Sequence, residues 1–288
     1  MLTRRAVLLR SLLAAPWSLH ALRQPVAADR AMSRLTDLER KHGGRLGVAA
    51  VDLGTNRRIA HRAEERFAMC STFKVLVAAL VLARVDRGEE RFDRVVTFSK
   101  DELVSYSPVT EKRVSTGMTI AELCEATMTI SDNTAANLLL ASFGGPARLT
   151  AYVRLLGDTV TRLDRIEPEL NDVAPGDPRD TTSPSAMLQT VRRLVLEDAL
   201  SPGSRDRLTD WLVANKTGNA RLKAGFPKGW RIGDKTGTGN HAATNDIGVA
   251  WPPGRKPVIV TVYYDGSDAP LQTREQVIAE VARIVAAD

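Results

Sequence analysis

The stretch "AMCSTFKVLVAAL", residues 68–80, carries a lysine within an otherwise almost wholly apolar run. If Ser71 opens a helix that continues through Leu82, Ser71 and Lys74 lie one turn apart on the same face. An ammonium there faces the interior, where it must be paired or lose its proton. Ser71 is then a candidate nucleophile, with Lys74 as its proton partner. The alternative is that Ser71 caps the helix and Lys74 extends to water.

The composition describes a globular chain. It has 288 residues, of which 43% are hydrophobic and 26% charged, enough for a full core in one compact unit or two close lobes. Residues 1–28 combine arginines, a short apolar run and small residues, which is typical of an export signal, here similar to the twin-arginine type. We therefore expect a periplasmic or secreted bacterial protein, with cleavage near Ala28.

The charge and the metal-ligating residues exclude several classes of function. Without the four arginines of residues 1–28 the formal net charge falls from +6 to +2, so the basic pI says little about nucleic acid, and we expect no nucleic-acid partner. Cys70 and Cys124 are the two cysteines, too few for a disulfide framework. The four histidines are scattered without a metal-binding spacing, so we predict no metal, no cofactor and no Ser-His-Asp triad.

The order of the elements predicts a two-lobed α/β fold of the α+β type. Residues 45–53 and 57–62 read as a hairpin, residues 71 to about 216 as mainly helical, and residues 229–238, 245–251 and 257–264 as antiparallel strands before a last helix. We expect an antiparallel sheet, with flanking helices, built from residues 29–65 and 217–288. An all-helical lobe, residues 66–216, is inserted between them. A cleft between two lobes is a common place for a small-molecule site.

Three further stretches carry polar groups that could serve chemistry. "TISDNTAAN", residues 129–137, stands at a predicted helix start, where Ser131 or Asp132 could simply be an N-cap. "GDKTGTGN", residues 233–240, lies on a strand, where Gly237 would let a substrate backbone approach closely. "LDRIEPELNDVAPGDPRDTTSP", residues 163–184, is too long and too irregular for a simple connector, which is typical of functional loops.

Together, and in this order, S-T-F-K, S-D-N, E-P-E-L-N and K-T-G resemble the motifs of the class A serine β-lactamases. The resemblance covers essentially all of the chain after the signal. It implies a β-lactamase/transpeptidase-like fold that hydrolyses the β-lactam ring of penicillins and cephalosporins through a serine acyl-enzyme, and so confers resistance. It further implies small-molecule β-lactam substrates, no cofactor, and a monomer without a membrane span.

The resemblance assigns the acylation step to five residues. Ser71 would attack the β-lactam carbonyl, with Lys74 as its proton partner. The backbone N–H groups of Ser71 and Thr238 would form the oxyanion hole. Ser131 would pass a proton to the leaving ring nitrogen, while Lys235 keeps the local field positive.

Deacylation is assigned to the 163–184 loop. Glu167 and Asn171 would hold the hydrolytic water, with Glu167 as general base. Whether Glu167 or Lys74 is the base during acylation stays open. The family pattern also suggests that Arg165 and Asp180 tie the neck of the loop, and that the bond before Pro168 is cis.

The remaining assignments concern substrate binding. Asn133 would hold the substrate side-chain amide and Tyr106 would wall the mouth of the cleft. Many family members bind the substrate carboxylate with an arginine on the strand after K-T-G, but here that stretch offers Thr244. Arg221 matches the alternative position used by other members, so we expect Arg221, with Thr236 and Thr238, to bind the carboxylate. The alternative is an ordinary surface arginine.

The cysteines depart from two family patterns. In one branch a cysteine beside the nucleophile is bridged to the position held here by Gly239, and in another a helical cysteine matching Cys124 is bridged to the position held by Ala78. Neither bridge can form, so Cys70 and Cys124 are predicted to be free. The absence of the bridge between the positions of Cys70 and Gly239 argues against a dedicated carbapenemase.

Two other functions compete with β-lactam hydrolysis. A penicillin-binding D,D-peptidase shares the S-x-x-K and K-T-G motifs but lacks the deacylating pair, and Glu167 with Asn171 argues against it. A β-lactam sensor module would need membrane spans, and no apolar run after residue 28 approaches the roughly 20 residues required.

Overall fold

The computed structural model describes residues 23–287. The predicted export signal lies outside these residues, except that positions 23–28 form the start of the first helix. The α-helices within the described chain are α1 Arg23–His42, α2 Lys74–Asp86, α3 Ile120–Thr129, α4 Asn133–Ser142, α5 Gly145–Leu155, α6 Pro184–Leu196, α7 Pro202–Val213, α8 Leu222–Gly225 and α9 Leu271–Ala286. The strands there are β1 Arg45–Asp52, β2 Arg58–His61, β3 Phe67–Ala68, β4 Val95–Val96, β5 Met118–Thr119, β6 Thr181–Thr182, β7 Arg231–Thr238, β8 Thr244–Trp251 and β9 Val258–Asp265.

Strands from both ends of the described chain form one sheet. Its order is β2-β1-β9-β8-β7, and each neighbouring pair is antiparallel. The register pairs Val48 with Val262 and Gly248 with Val260. The predicted fold class, an antiparallel sheet of N- and C-terminal strands with helices between them in sequence, is confirmed.

Alternating side chains of β1 enter two different hydrophobic cores. Leu46, Val48 and Ala50 pack with α1, α8 and α9 on one face of the sheet. Ala49 and Val51 belong to the larger core that contains α2 to α7. Because successive strand residues point to opposite faces, a strand covered on both sides must be apolar almost throughout, as "RLGVAAVD" is.

The predicted helices of the central region are present, and side chains close several of their first turns. Thr119 and Glu122 form a capping box at α3, where the Glu122 N–H donates to Thr119 and the Thr119 N–H donates to Glu122. Ser183 and Ser201 cap α6 and α7. Helix α1 was not predicted. Its charged outer face and sparse apolar positions give a weak signal, although Leu35 is fully buried against the sheet.

The helix predicted to begin at Ser71 begins one turn later. A 3-10 helix spans Cys70–Phe73 and α2 follows from Lys74. The first ten residues of α2, Lys74 to Ala83, are all buried, so this helix runs through the centre of the larger core. A lysine at its first position therefore lies in the interior.

The 163–184 loop is closed at its base by backbone and side-chain contacts. β3 pairs with β6, which joins the segment before the nucleophile to the end of the loop. Arg165 Nε donates to Asp180 Oδ2 at 2.6 Å, and the Asp180 carboxylate also accepts from the N–H groups of residues 164 and 165. The predicted tie and the cis peptide before Pro168 are both present.

Two further expectations concern the chain as a whole. Cys70 and Cys124 are free and buried, as predicted. None of the helices within residues 23–287 combines the length and apolar character needed to cross a membrane.

Candidate active site

Three turns with left-handed backbone deliver side chains to one cleft. Cys70 (φ 44°), Tyr106 (φ 61°) and Ser131 (φ 65°) adopt a conformation that is unfavourable for residues with a Cβ. Such strain persists only where the surrounding structure enforces it, and it concentrates at functional sites. Cys70 and Ser131 lie in stretches that the sequence analysis singled out, and Tyr106 was predicted there to wall the mouth of the cleft.

The Ser71 hydroxyl lies between an amine and a carboxylate. Lys74 Nζ is 2.9 Å from Ser71 Oγ, and Ser71 Oγ donates to Glu167 Oε1 at 3.2 Å. Lys74 Nζ and Glu167 Oε1 are themselves 2.9 Å apart, with both side chains fully buried. The hydroxyl proton therefore has two potential acceptors within reach.

Lys74 is surrounded by oxygen atoms. Besides Ser71 and Glu167, its Nζ donates to Ser131 O at 2.8 Å and to Asn133 Oδ1 at 2.6 Å. Burial lowers the pKa of Lys74, and the Glu167 carboxylate opposes that shift. The alternative in which Lys74 extends to water is excluded by this burial.

Ser131 lies between two lysines. Its Oγ accepts from Lys235 Nζ at 2.9 Å and lies 3.3 Å from Lys74 Nζ. Burial, followed by repulsion from Lys74, lowers the pKa of Lys235 to about 7. The hydroxyl is therefore next to one lysine that exchanges its proton near neutral pH and to a second whose pKa is also lowered.

Asp132, not Ser131, is the N-cap of α4. Its Oδ1 accepts from Ala135 N at 2.9 Å, and its carboxylate also accepts from Val109 N and from Thr110 N and Oγ1. These bonds attach the turn that contains Tyr106 to the start of α4. Ser131 thereby stays free of the capping role and faces the cleft.

Glu167 is held by two asparagines, one of which the sequence analysis missed. Asn171 Nδ2 donates to Glu167 Oε2 at 2.5 Å. Asn137, one turn after Asn133 on α4, receives the Glu167 N–H at 2.9 Å and donates to the Glu167 carbonyl at 2.8 Å. The single amide in the otherwise apolar run "AANLLLA", residues 135–141, was the available signal, since it must find partners when half-buried.

Arg221 lies beneath the K-T-G strand and is only 4% exposed, which excludes an ordinary surface arginine. Its guanidinium donates to Thr238 Oγ1 at 2.8 Å and to the carbonyls of Gly237 and Asn245. Glu275 on α9 pairs with its Nε at 3.2 Å. The sequence analysis did not identify Asn245 or Glu275. Both lie outside the recognised motifs.

Thr244 occupies the position at which many family members carry an arginine, and it does not line the cleft. Its side chain is fully buried and donates to the Ala242 carbonyl at 3.1 Å. Arg221 supplies the guanidinium on this strand pair instead.

Two glycines allow β7 to pass close to the nucleophile turn. A Cβ at Gly237 would lie 2.8 Å from Met69 O, and one at Gly239 would lie 2.6 Å from Cys70 Sγ. Neither distance is tolerable between real atoms. The strand that carries Lys235 and Thr238 can therefore lie beside Ser71 only with glycine at these positions.

The cleft itself has a volume of about 300 Å³. It is lined by Ser71, Tyr106, Ser131, Asn133, Asn171, Thr217, Thr236 and Thr238. A larger cavity of about 700 Å³ lies between residues 173–177 and the start of β1 and end of β9, at residues 44–45 and 265–266. None of the S-T-F-K, S-D-N or K-T-G residues borders it. No group of three or more His, Cys, Asp or Glu side chains arranged to hold a metal ion occurs among the described residues.

Comparison with known proteins agrees with this geometry. Residues 30–288 match the beta-lactamase enzyme family. The chain belongs to that family. It is 49% identical over 255 residues to beta-lactamase FAR-1 of Nocardia farcinica (strain IFM 10152), a match that covers 88% of this chain and 82% of that protein. It is 47% identical over 258 residues to beta-lactamase CTX-M-8 of Citrobacter amalonaticus, covering 90% of this chain and 89% of that one.

Solved structures place the chain in class A of the family. An ancestral (GNCA) class A beta-lactamase is 65% identical with a TM-score of 0.87, covering 88% of this chain and 98% of its own. A putative class A beta-lactamase from Rhodopseudomonas palustris, PenP, is 60% identical with a TM-score of 0.88, covering 90% of this chain and 99% of that one. This class A β-lactamase is a hydrolase that opens β-lactam rings and thereby confers resistance.

Proposed function

We propose that Ser71 is the nucleophile of this β-lactamase. The observation that carries the assignment is the position of Ser71 Oγ, 2.9 Å from Lys74 Nζ and 3.2 Å from Glu167 Oε1. Ser71 Oγ would form a bond to the β-lactam carbonyl carbon while its proton passes to Lys74 or Glu167. The backbone N–H groups of Ser71 and Thr238 would stabilise the resulting oxyanion.

Ring opening needs a proton at the departing nitrogen. Ser131 is the donor in this proposal, because its Oγ lies within 3.3 Å of Lys74 Nζ and 2.9 Å of Lys235 Nζ. The proton that leaves Ser131 can be replaced from either lysine. The C–N bond then breaks and leaves an ester on Ser71.

Deacylation is assigned to Glu167 and Asn171. Glu167 would take a proton from a water molecule as that water attacks the ester carbonyl, and Ser71 would leave with a proton returned to its oxygen. Asn171 donates to Glu167 through Nδ2, and its buried Oδ1 has no hydrogen-bond partner among the described residues. That oxygen is available to accept a hydrogen from the attacking water.

The substrate would be held at its two ends. Thr236 and Thr238 line the cleft, and the buried Arg221 donates to Thr238 Oγ1. Together these three residues would receive the carboxylate of a penicillin or cephalosporin. Asn133 would bond the side-chain amide, and Tyr106, which is 58% exposed, would form the outer wall. Gly237 lets the substrate backbone approach the strand edge.

Three further assignments complete the proposal. Residues 29–65 and 217–288 would form the α/β lobe and residues 66–216 the helical lobe, with the cleft between them. The export signal at residues 1–28 would direct a monomer to the periplasm or the medium. Small-molecule β-lactams, and not nucleic acids, would be its partners.

The test compares Ser71→Ala with Ser142→Ala, which removes a hydroxyl from the far end of α4. Each purified variant is incubated with benzylpenicillin and measured for turnover and by intact-protein mass. We expect Ser71→Ala to show neither turnover nor an acyl adduct, while Ser142→Ala keeps wild-type rates. An adduct on Ser71→Ala would move the nucleophile to another residue. A wild-type protein that is labelled but does not turn over would indicate a penicillin-binding peptidase.

A further inference from the structure

Thr217 borders the cleft but belongs to none of its recognised motifs. Its Oγ1 makes two short contacts, one of 2.8 Å to Asn215 Oδ1 and one of 2.5 Å to Thr236 Oγ1. Thr236 is one of the residues assigned to the substrate carboxylate. The direction of these two hydrogen bonds decides what Thr236 can offer a ligand.

The orientation of the Asn215 amide is fixed from two sides. The Thr217 backbone N–H, which can only donate, points at Asn215 Oδ1 from 3.1 Å. Asn215 Nδ2 donates to Asp234 Oδ2 at 2.9 Å. Burial raises the pKa of Asp234, and Lys223 Nζ, 2.9 Å from its other oxygen, opposes that shift. Asn215 is 3% exposed, so its amide has little access to competing water.

The direction of each hydrogen bond between Asn215, Thr217 and Thr236 then follows from the number of hydrogens that each group carries. Asn215 Oδ1 can only accept, so the 2.8 Å contact requires the hydrogen of the Thr217 hydroxyl. A hydroxyl has one hydrogen, and Thr217 has therefore none left for Thr236. The 2.5 Å contact between the two hydroxyls must use the hydrogen of Thr236. If Thr217 donated to Thr236 instead, two oxygens without a hydrogen between them would face each other at 2.8 Å, which is costly in a buried site.

We propose that Thr217 is a specificity-determining residue, which holds the hydroxyl hydrogen of Thr236 and leaves Thr236 with only lone pairs toward the cleft. This inference rests on the proposed role of the site in binding the substrate carboxylate. A carboxylate cannot accept a hydrogen bond from Thr236 until the contact with Thr217 is broken. Thr236 can therefore join Thr238 and Arg221 in binding the carboxylate only at the cost of its hydrogen bond to Thr217, so Thr217 reduces the affinity for the carboxylate.

The experiment compares Thr217→Val, which keeps the shape but removes the acceptor, with Thr217→Ser, which keeps the hydroxyl. KM and kcat are measured for benzylpenicillin and for its methyl ester, which lacks the negative charge. In Thr217→Val the Thr236 hydroxyl is free to donate, so we expect KM for benzylpenicillin to fall about threefold to tenfold with kcat unchanged. The KM for the ester should stay at its wild-type value, and Thr217→Ser should keep the wild-type ratio of the two KM values.

An unchanged or higher KM for benzylpenicillin in Thr217→Val would overturn the inference, as would an equal fall for the ester. A second measurement needs no variant: neutron diffraction on the deuterated wild-type protein should place the Thr236 deuterium between Thr236 and Thr217. A deuterium directed into the cleft would refute the proposal. Failure of wild-type turnover in the same assays would instead count against the proposed function, while the neutron result would still decide the direction of the hydrogen bond.

Discussion

Lys74 Nζ and Glu167 Oε1 form an ion pair of 2.9 Å in which both side chains are fully buried. Such a pair contributes little to stability, because the cost of removing two charges from water offsets their attraction. Removing one partner leaves the other charge uncompensated, which costs about 3–5 kcal/mol unless that group changes its protonation. The pair is therefore best explained by its contacts with Ser71, through which it would serve both steps of the proposed reaction.

Lys235 should make the stability of the fold depend on pH. Its pKa is lowered from 10.5 to about 7, mainly by burial, so between these values the unfolded chain binds a proton that the folded protein does not. Stability then rises with pH across that window, and the cost of burying the charged form is fully present below it. Urea unfolding of wild type and of Lys235→Met at several pH values should show the difference between them changing in favour of wild type as the pH rises. A pH-independent difference would contradict the lowered pKa.

Arg221→Ala should weaken transition-state binding. Its guanidinium holds Thr238 Oγ1 at 2.8 Å and is the buried cation beside the K-T-G strand. The loss of a charge-assisted hydrogen bond is worth about 1.5–3 kcal/mol, or roughly 10- to 150-fold in kcat/KM. Arg91→Ala, which removes an exposed arginine whose side chain pairs with Asp93 alone among the described residues, is the matched control. An unaltered kcat/KM in Arg221→Ala would remove Arg221 from the carboxylate site.

Where the sequence predicted well, the physical signal was local. The apolar run of β1 and the capping residues of the central helices report on neighbours a few residues away. The isolated lysine of residues 68–80 was informative for the same reason, since an unpaired charge at the start of an apolar helix requires partners. The four motifs were informative in a different way, through their resemblance to a known family.

The residues that were missed act over long sequence separations. Asn137 holds Glu167 from 30 positions away, and Glu275 meets Arg221 across 54. The left-handed backbone at Cys70, Tyr106 and Ser131 is likewise enforced by tertiary contacts, because none of these residue types favours it on its own. Such relationships depend on how distant elements pack, which spacing within one motif does not encode.

The two cysteines should both be titratable in the denatured protein. Cys70 and Cys124 are free and fully buried, and burial raises the pKa of each thiol. A thiol reagent should therefore react slowly with the native protein, since the thiolate is the reactive form, and should count two thiols after denaturation. A count of zero would show that the cysteines pair with each other.

Asn137→Ala should slow deacylation more than acylation. The variant removes both hydrogen bonds between Asn137 and the backbone of Glu167, whose geometry determines where the carboxylate lies. Unsatisfied partners in a buried site cost about 1–3 kcal/mol, and a loosened general base costs further rate. Single-turnover measurements with a cephalosporin should show acylation near the wild-type rate and a slower return of free enzyme. Equal slowing of both steps would indicate a general loss of structure instead, which the unfolding midpoint would detect.

The sharpest prediction concerns Glu167→Ala. In the wild type the Glu167 carboxylate raises the pKa of Lys74 against the effect of burial. Without that carboxylate, burial is opposed chiefly by the more weakly acting Asp132, so the pKa of Lys74 falls further and its amine is favoured in the neutral form, which can accept the Ser71 proton. Acylation should therefore continue. Deacylation has no such substitute, because Lys74 lies on the Ser71 side of the site and Asn171 cannot accept a proton, so the loss of the general base should slow it by about 10²- to 10⁴-fold.

The acyl-enzyme of Glu167→Ala should then accumulate. Rapid mixing with a chromogenic cephalosporin should give a burst of one product molecule per enzyme, followed by almost no further turnover. The intact mass should rise by one acyl group. Glu169→Ala, two residues along the same loop, is the control and should turn over normally. If Glu167→Ala failed to acylate at all, Glu167 would be the base for the first step as well and Lys74 would not replace it. If it turned over at the wild-type rate without an adduct, the 163–184 loop would have no part in hydrolysis, because its carboxylate is the group that contacts both Ser71 and Asn171.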